Sequence, residues 1–149
     1  MKIYLKDQNK RKISYDILNI FLDHEDIDFS DDKNGAEIKI EDESVNISGK
    51  DFAFKTNQDL KIILYEYLTE KTGYKSPWGT LTGSKPSKLL KNKTLEEIKN
   101  TYKLSDEKLM LLAKVKENQD RLNISPEDFS LYINIPFCPT RCDYCSYPT

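Results

Sequence analysis

The sequence has little of what builds most metal and nucleophilic sites: three cysteines, one histidine and one tryptophan among 149 residues. No apolar run approaches the ~18 residues of a membrane-spanning helix. The first twelve residues are polar and basic, unlike a secretory signal peptide. The net charge of −2 argues against a nucleic-acid partner, which would require a basic surface. These absences predict a cytoplasmic protein that binds neither membrane nor nucleic acid.

Residues 1–73 carry the apolar patterns of a small mixed domain. The predicted strands lie at 2–5, 27–29, 36–40 and 45–47, and the predicted helices lie at about 9–23 and 60–68. Gly73 ends the second helix. The order β-α-β-β-β-α predicts an α+β domain with an antiparallel sheet and both helices on one face.

Residues 74–125 are predicted to form a second unit, a basic loop with glycine and tryptophan followed by a helical segment. The capping-box pattern Thr94-x-x-Glu97 and Ser105 mark two helix starts. Ordinary helix packing explains this pair better than a DNA-binding helix-turn-helix, given the acidic net charge. The loop Gly79–Lys85 is not a phosphate-binding Walker loop, because it is one residue short and reverses the order of lysine and serine.

Charge is unevenly distributed along the chain. Residues 23–43 contain ten acids against two lysines, and the lone His24 among them is expected to be exposed. Residues 71–95 contain six lysines and no acid. A solvated face is the simplest interpretation of this basic segment. The alternative is a surface for an anionic ligand, with Lys85 and Lys88 on one helical face.

The three cysteines, Cys138, Cys142 and Cys145, lie within eight residues near the end of the chain. Their spacing, C-x3-C-x2-C, allows three thiolates on one loop to hold three irons of a [4Fe–4S] cluster, and thiolates are the ligands that such clusters prefer. No fourth cysteine exists, so the fourth iron would stay open for a small molecule. We therefore predict a metal site at these cysteines.

Three other uses of clustered cysteines are possible. A structural zinc site needs four ligands, and His24 lies more than a hundred residues away. Disulfides fit poorly with an odd number of cysteines in a chain that lacks a signal peptide. Inert, buried cysteines rarely cluster so tightly. The iron–sulfur interpretation explains the spacing best.

The residues before the cysteines add a second signal. Leu131, Ile133 and Ile135 alternate with polar neighbours, which predicts a β-strand that Pro136 ends. Strand, cysteine loop and Tyr144 together resemble the radical SAM superfamily. The run Tyr132-Ile-Asn-Ile-Pro-Phe-Cys138 is similar to oxygen-independent coproporphyrinogen III oxidases, and the stretch from Pro77 to Pro86 resembles their HemZ-type branch.

This resemblance implies a function. Members bind S-adenosylmethionine at the open iron and use an electron donor to generate a radical, which converts propionates of coproporphyrinogen III to vinyl groups in haem biosynthesis. By position, Tyr132 matches a tyrosine near the methionine end of the cofactor, and Tyr144 matches the aromatic that packs on the cluster. Asn134 stands where many members have histidine, so the decarboxylation is less firmly implied than the cluster. The sequence identifies no catalytic residue.

The resemblance also implies a partial (β/α) barrel, of which residues 126–149 would supply the first strand and the cluster loop. One strand cannot close a barrel. We therefore expect the chain to be the N-terminal portion of a longer oxidoreductase and to be inactive alone. The alternative function is a non-catalytic binding or docking domain, or a haem chaperone, of the same family.

Overall fold

The computed structural model describes residues 1–83, 85–122, 125, 127–134 and 138–146. The regular elements are β1 (Lys2–Leu5), α1 (Arg11–Leu18), β2 (Asp28–Ser30), β3 (Ile38–Ile40), β4 (Ser44–Ile47), β5 (Lys50–Ala53), α2 (Asn57–Thr72), α3 (Leu95–Tyr102) and α4 (Asp106–Asp120). Short 3₁₀ helices occupy Gln8–Lys10, His24–Asp26 and Pro86–Lys91. The fold class is mixed α and β, as the sequence predicted.

The strands form one five-stranded sheet in the order β2-β1-β3-β4-β5. The prediction of an antiparallel sheet is wrong for β1, which lies parallel to both β2 and β3; only β3, β4 and β5 are antiparallel. For β2 the physical reason is the helical crossover, because α1 carries the chain back to the end of the sheet from which β1 started. Residues 31–37, which form no helix, return the chain in the same way before β3.

Strand β5 is an element that the sequence did not predict. All four of its residues are exposed, so it carries no alternation of buried and exposed side chains. It forms because β4 turns back through Ser48 and Gly49, which both adopt positive φ angles of 50° and 88°. Such a two-residue turn matches the twist of a hairpin and brings the next residues into register.

One face of the sheet carries the main hydrophobic core. Inward side chains align across the register, for example Ile3 with Ile38 and Ile38 with Ile47. Both α1 and α2 contribute buried residues to the same cluster, including Leu18 and Leu64. The two helices therefore cover one face of the sheet, which confirms that part of the sequence prediction.

Capping residues mark the helix ends, and those at Gly73, Thr94 and Ser105 were predicted from the sequence. Thr56 and Asp59 form a capping box at the start of α2, and Gly73 ends that helix with φ of 72°. Thr94 and Glu97 form a second capping box at α3. The helix α1 is shorter than the predicted range of 9–23, because 3₁₀ and turn conformations replace its two ends.

A second, smaller cluster lies within residues 74–122. Ile98, Leu104 and Leu112 are buried together, and Trp78 and Leu89 pack against them half-buried. This cluster joins α3, α4 and the preceding loop. Among the helices that the structure describes, none is long and apolar enough to cross a membrane.

Candidate functional site

The cysteine segment, which comprises the described residues after 122, lies outside both hydrophobic clusters. Cys138 and Cys142 are exposed, and Cys145 is half-buried. The backbone N–H of Cys145 donates a hydrogen bond to the carbonyl of Cys142 across 2.9 Å, so a turn joins these two cysteines. Within the described ranges, no three His, Cys, Asp or Glu side chains are gathered as a metal site. The structure thus brings Cys142 and Cys145 into one turn but does not gather all three thiols.

The two tyrosines that the sequence predicted at the cofactor are also unpacked. Tyr132 is 81% exposed and Tyr144 is 90% exposed. Residues 131–134 form no strand, so the predicted strand is wrong over these residues, while Ile135 and Pro136 lie outside the described part of the chain. A strand needs a hydrogen-bonded neighbour, and none of the five described strands pairs with this segment.

The donor set itself fits a [4Fe–4S] cluster. Three thiols lie within eight residues, and none of them is enclosed by packed neighbours. Soft thiolate is the ligand type that such clusters require. Because no core side chain would have to move, the three cysteines can converge without disturbing the folded part of the chain. The predicted use of the cysteines therefore remains chemically possible in this fold.

A second unusual region is the loop containing Trp78, Gly79 and Thr80. A Cβ atom placed on Gly79, which has φ of 57°, would lie 2.0 Å from the carbonyl oxygen of Tyr102. Glycine is therefore required here by close backbone approach as well as by its conformation. The sequence analysis gave no reason to expect this contact, because the two segments are more than twenty residues apart.

Hydrogen bonds hold this loop between α2 and α3. The fully buried Thr80 donates its backbone N–H to the carbonyl of Tyr102 across 2.8 Å. The side-chain amide of Gln58 on α2 donates both to the Thr80 hydroxyl, at 2.8 Å, and to the carbonyl of Thr101, at 2.9 Å. Ser105 donates its N–H to the carbonyl of Pro77 at 2.9 Å. The stretch that resembles HemZ-type proteins thus ties the smaller cluster to α2.

The loop leads into the 3₁₀ helix Pro86–Lys91, which carries the basic residues noted in the sequence. Lys85, Lys88 and Lys91 are exposed, whereas the residues between them are half-buried. The three lysines line one groove of about 620 Å³ between this 3₁₀ helix and α4. The structure therefore places Lys85 and Lys88 together, as the sequence predicted, and adds Lys91.

Other charged groups serve the fold. Burial raises the pKa of Glu37, but hydrogen bonds from Lys71 and Tyr67 lower it more, so the net pKa lies below its usual value. The same hydrogen bond from Lys71 to Glu37 raises the pKa of the lysine. This cluster ties the end of α2 to the residue that precedes β3. His24 is exposed, as predicted, with its ring edge-on to Tyr15 at 6.0 Å.

Comparison with known proteins gives one relative. The chain is 36% identical over 111 residues to the oxygen-independent coproporphyrinogen-III oxidase-like protein HemZ of Bacillus subtilis, strain 168. The similarity covers 64% of this chain and 22% of the relative, so the chain spans about a fifth of that protein's length. No family model matches the chain. No solved structure matches it.

The comparison agrees with the HemZ-type resemblance that the sequence indicated. The region of similarity is too long to consist of the cysteine motif alone, since it covers most of the chain. Over most of its length, this chain is therefore similar to a HemZ-type, oxygen-independent coproporphyrinogen-III oxidase-like protein.

Proposed function

We propose that this chain supplies the cluster-binding segment of a radical SAM oxidoreductase that acts on a tetrapyrrole. The observation that carries the proposal is the set of three unenclosed cysteines in a relative of HemZ-type proteins. The name of that relative supports an oxidoreductase of porphyrin metabolism. The finer reaction would be the oxidative decarboxylation of coproporphyrinogen III propionates to vinyl groups, with S-adenosylmethionine and an electron donor.

The residues of this chain have separate roles in the proposal. Cys138, Cys142 and Cys145 hold a [4Fe–4S] cluster through their thiolates and leave one iron without a protein ligand. With S-adenosylmethionine, a bound cluster supplies reductive radical chemistry. In the loaded protein, the ring of Tyr144 would pack against the cluster, and Tyr132 would contact the cofactor. Both rings are exposed and therefore free of competing core contacts.

Anaerobic reconstitution with iron and sulfide tests the proposal on the chain itself. We expect about four irons per chain and a broad visible absorption. Replacing any of the three cysteines with alanine should abolish both signals, because each thiolate holds a different iron. The far-ultraviolet circular dichroism should not change, since none of the cysteines contributes to a hydrophobic cluster.

The matched control is Asp143→Ala, which alters the same turn without removing a thiol. It should retain the iron. Stable zinc binding by the wild-type chain without iron uptake would overturn the proposal. So would iron uptake that survives in the Cys142→Ala variant, because the cluster would then be held elsewhere.

A further inference from the structure

We propose that the lysine row Lys85, Lys88 and Lys91, together with the apolar cavity beside Trp78, binds a flat ligand that carries several carboxylates. The inference rests on the proposed function in one respect, the choice of a tetrapyrrole as the ligand class. It adds the place where this chain recognises the carboxylates, which is distinct from the cysteine segment.

The geometry of the row follows from the 3₁₀ helix. Side chains three residues apart lie above one another in a 3₁₀ helix, about 6 Å apart along its axis. Lys85, Lys88 and Lys91 have this spacing, and the backbone N–H of Lys88 donates to the carbonyl of Lys85 across 3.2 Å. An α-helix would rotate Lys91 away from Lys88. The 3₁₀ conformation therefore aligns Lys88 with Lys91, and Lys85, which caps the start of the helix with non-helical backbone angles, lines the same groove.

The charges of the row are available to a ligand. No acid occurs in residues 71–95, and none of the three lysines forms an ion pair with any residue that the structure describes. On the opposite wall of the groove, Lys116 is already paired with Asp120. Among the described residues, the groove thus holds three lysines without an ion-pair partner and one neutralised pair, which favours a ligand with several negative groups.

An apolar cavity of about 220 Å³ adjoins the row. It is lined by Trp78, Leu81, Gly83 and Pro86, and Pro86 also begins the 3₁₀ helix that bears the lysines. Within the groove itself, Leu90 adds apolar surface beside the lysines. A small, highly hydrated anion would leave these apolar groups unused. A flat apolar ring with carboxylates at its edge uses both parts of the surface.

The small free energy of an exposed ion pair decides which variants are informative. An exposed ion pair contributes only ~0–1 kcal/mol, so a single lysine change can be silent. Changing all three together should raise the dissociation constant roughly tenfold or more. The test variant is therefore Lys85→Gln/Lys88→Gln/Lys91→Gln. The control, Lys12→Gln/Lys50→Gln/Lys55→Gln, makes the same charge change at three exposed lysines outside the groove.

The probe is coproporphyrin III, the stable oxidised tetracarboxylate, added to the wild-type chain and both triple variants. Trp78 is the only tryptophan, so quenching of its fluorescence reports binding at the adjoining cavity. The shift of the porphyrin absorption band gives an independent measure. We expect saturable binding that weakens roughly tenfold in the groove variant and stays unchanged in the control.

Inorganic tripolyphosphate forms the second arm of the experiment and separates carboxylate from phosphate recognition. It should compete poorly with the porphyrin because it lacks an apolar ring. Equal loss of porphyrin binding in both triple variants would overturn the inference, as would tripolyphosphate binding without porphyrin binding.

Iron uptake is measured on the same variants. If the wild-type chain never binds porphyrin while the groove variant takes up iron normally, the lysine site is overturned. The proposed cluster function then stands. If the chain binds porphyrin through Lys85, Lys88 and Lys91 but never takes up iron, the lysine site is supported and the cluster function is overturned.

Discussion

The region up to residue 122 and the cysteine segment after it carry similar apolar patterns with opposite outcomes. In β1 and β3, alternating residues such as Ile3 and Ile38 are fully buried. In the cysteine segment, Phe129, Leu131 and Ile133 alternate in the same way and are all exposed. The difference is a partner, since the sheet supplies neighbours for its own strands and nothing described pairs with residues 129–134. Alternation predicts a strand only where the same chain provides its neighbour.

Truncating one leucine in each region tests most directly whether the two regions differ in packing. Leu64 on α2 is fully buried, so Leu64→Ala should destabilise the fold by about 2–5 kcal/mol through lost burial and the cavity left behind. Leu131 is 77% exposed, so the same change there should lie within about 0.5 kcal/mol of zero. Urea unfolding followed by circular dichroism measures both. A comparable loss at Leu131 would mean that the cysteine segment packs on the folded region.

A change at Gly79 tests whether the smaller cluster belongs to the folded region. Gly79→Ala places a Cβ against the backbone of Tyr102 and strains a positive φ, so we expect a loss of about 3 kcal/mol. Gly73→Ala is the control, because its φ of 72° is similar but nothing lies within 4 Å of the added atom. In Gly73→Ala, backbone strain alone should lower the free energy of unfolding by roughly 1–2 kcal/mol. Equal effects would show that the loop does not hold α3 against α2.

Much of the folded region could be predicted from sequence because its signals are local. Periodicity located the inward faces of β1, β3 and α2, and capping chemistry marked the starts of α3 and α4. The direction of β1 relative to its neighbours could not be predicted, since strand direction depends on the crossover path rather than on side-chain pattern. The strand β5 was missed because an exposed edge strand lacks alternation.

The candidate sites also have parts that the sequence predicts and parts that it does not. The cysteine motif is recognisable from its spacing alone, yet among the described residues the structure does not gather its three thiols. The lysines were visible as a charge run, whereas the alignment of Lys88 with Lys91 required the 3₁₀ conformation. The contact between Gly79 and Tyr102 joins distant segments, so nothing in the sequence near Gly79 signals it.

The smallest expected effect concerns the capping boxes, which belong only to the folded region. Backbone N–H donation from Thr94 lowers the pKa of Glu97, and donation from Thr56 and Lys55 lowers the pKa of Asp59. Both pKa values lie below those of the unfolded chain, about 4, so the unfolded state binds more protons as the pH falls. The stability that these carboxylates contribute is complete above about pH 5 and is lost as the pH drops through their folded pKa values.

The variant Asp59→Asn/Glu97→Gln should therefore flatten the dependence of unfolding free energy on pH between about 5 and 3. The slope should shrink without vanishing, because Asp32 and Glu37 also have lowered pKa values and remain in place. Glu96→Gln is the control, since Glu96 lies in the same first turn and takes no part in the capping box. Urea unfolding at several pH values measures the slope. An unchanged slope in the double variant would mean that the caps do not hold the carboxylates in solution. None of the described residues after 122 belongs to a hydrophobic cluster or to the capping boxes of α2 and α3, so removing the residues after 125 should leave the slope as it is in the whole chain.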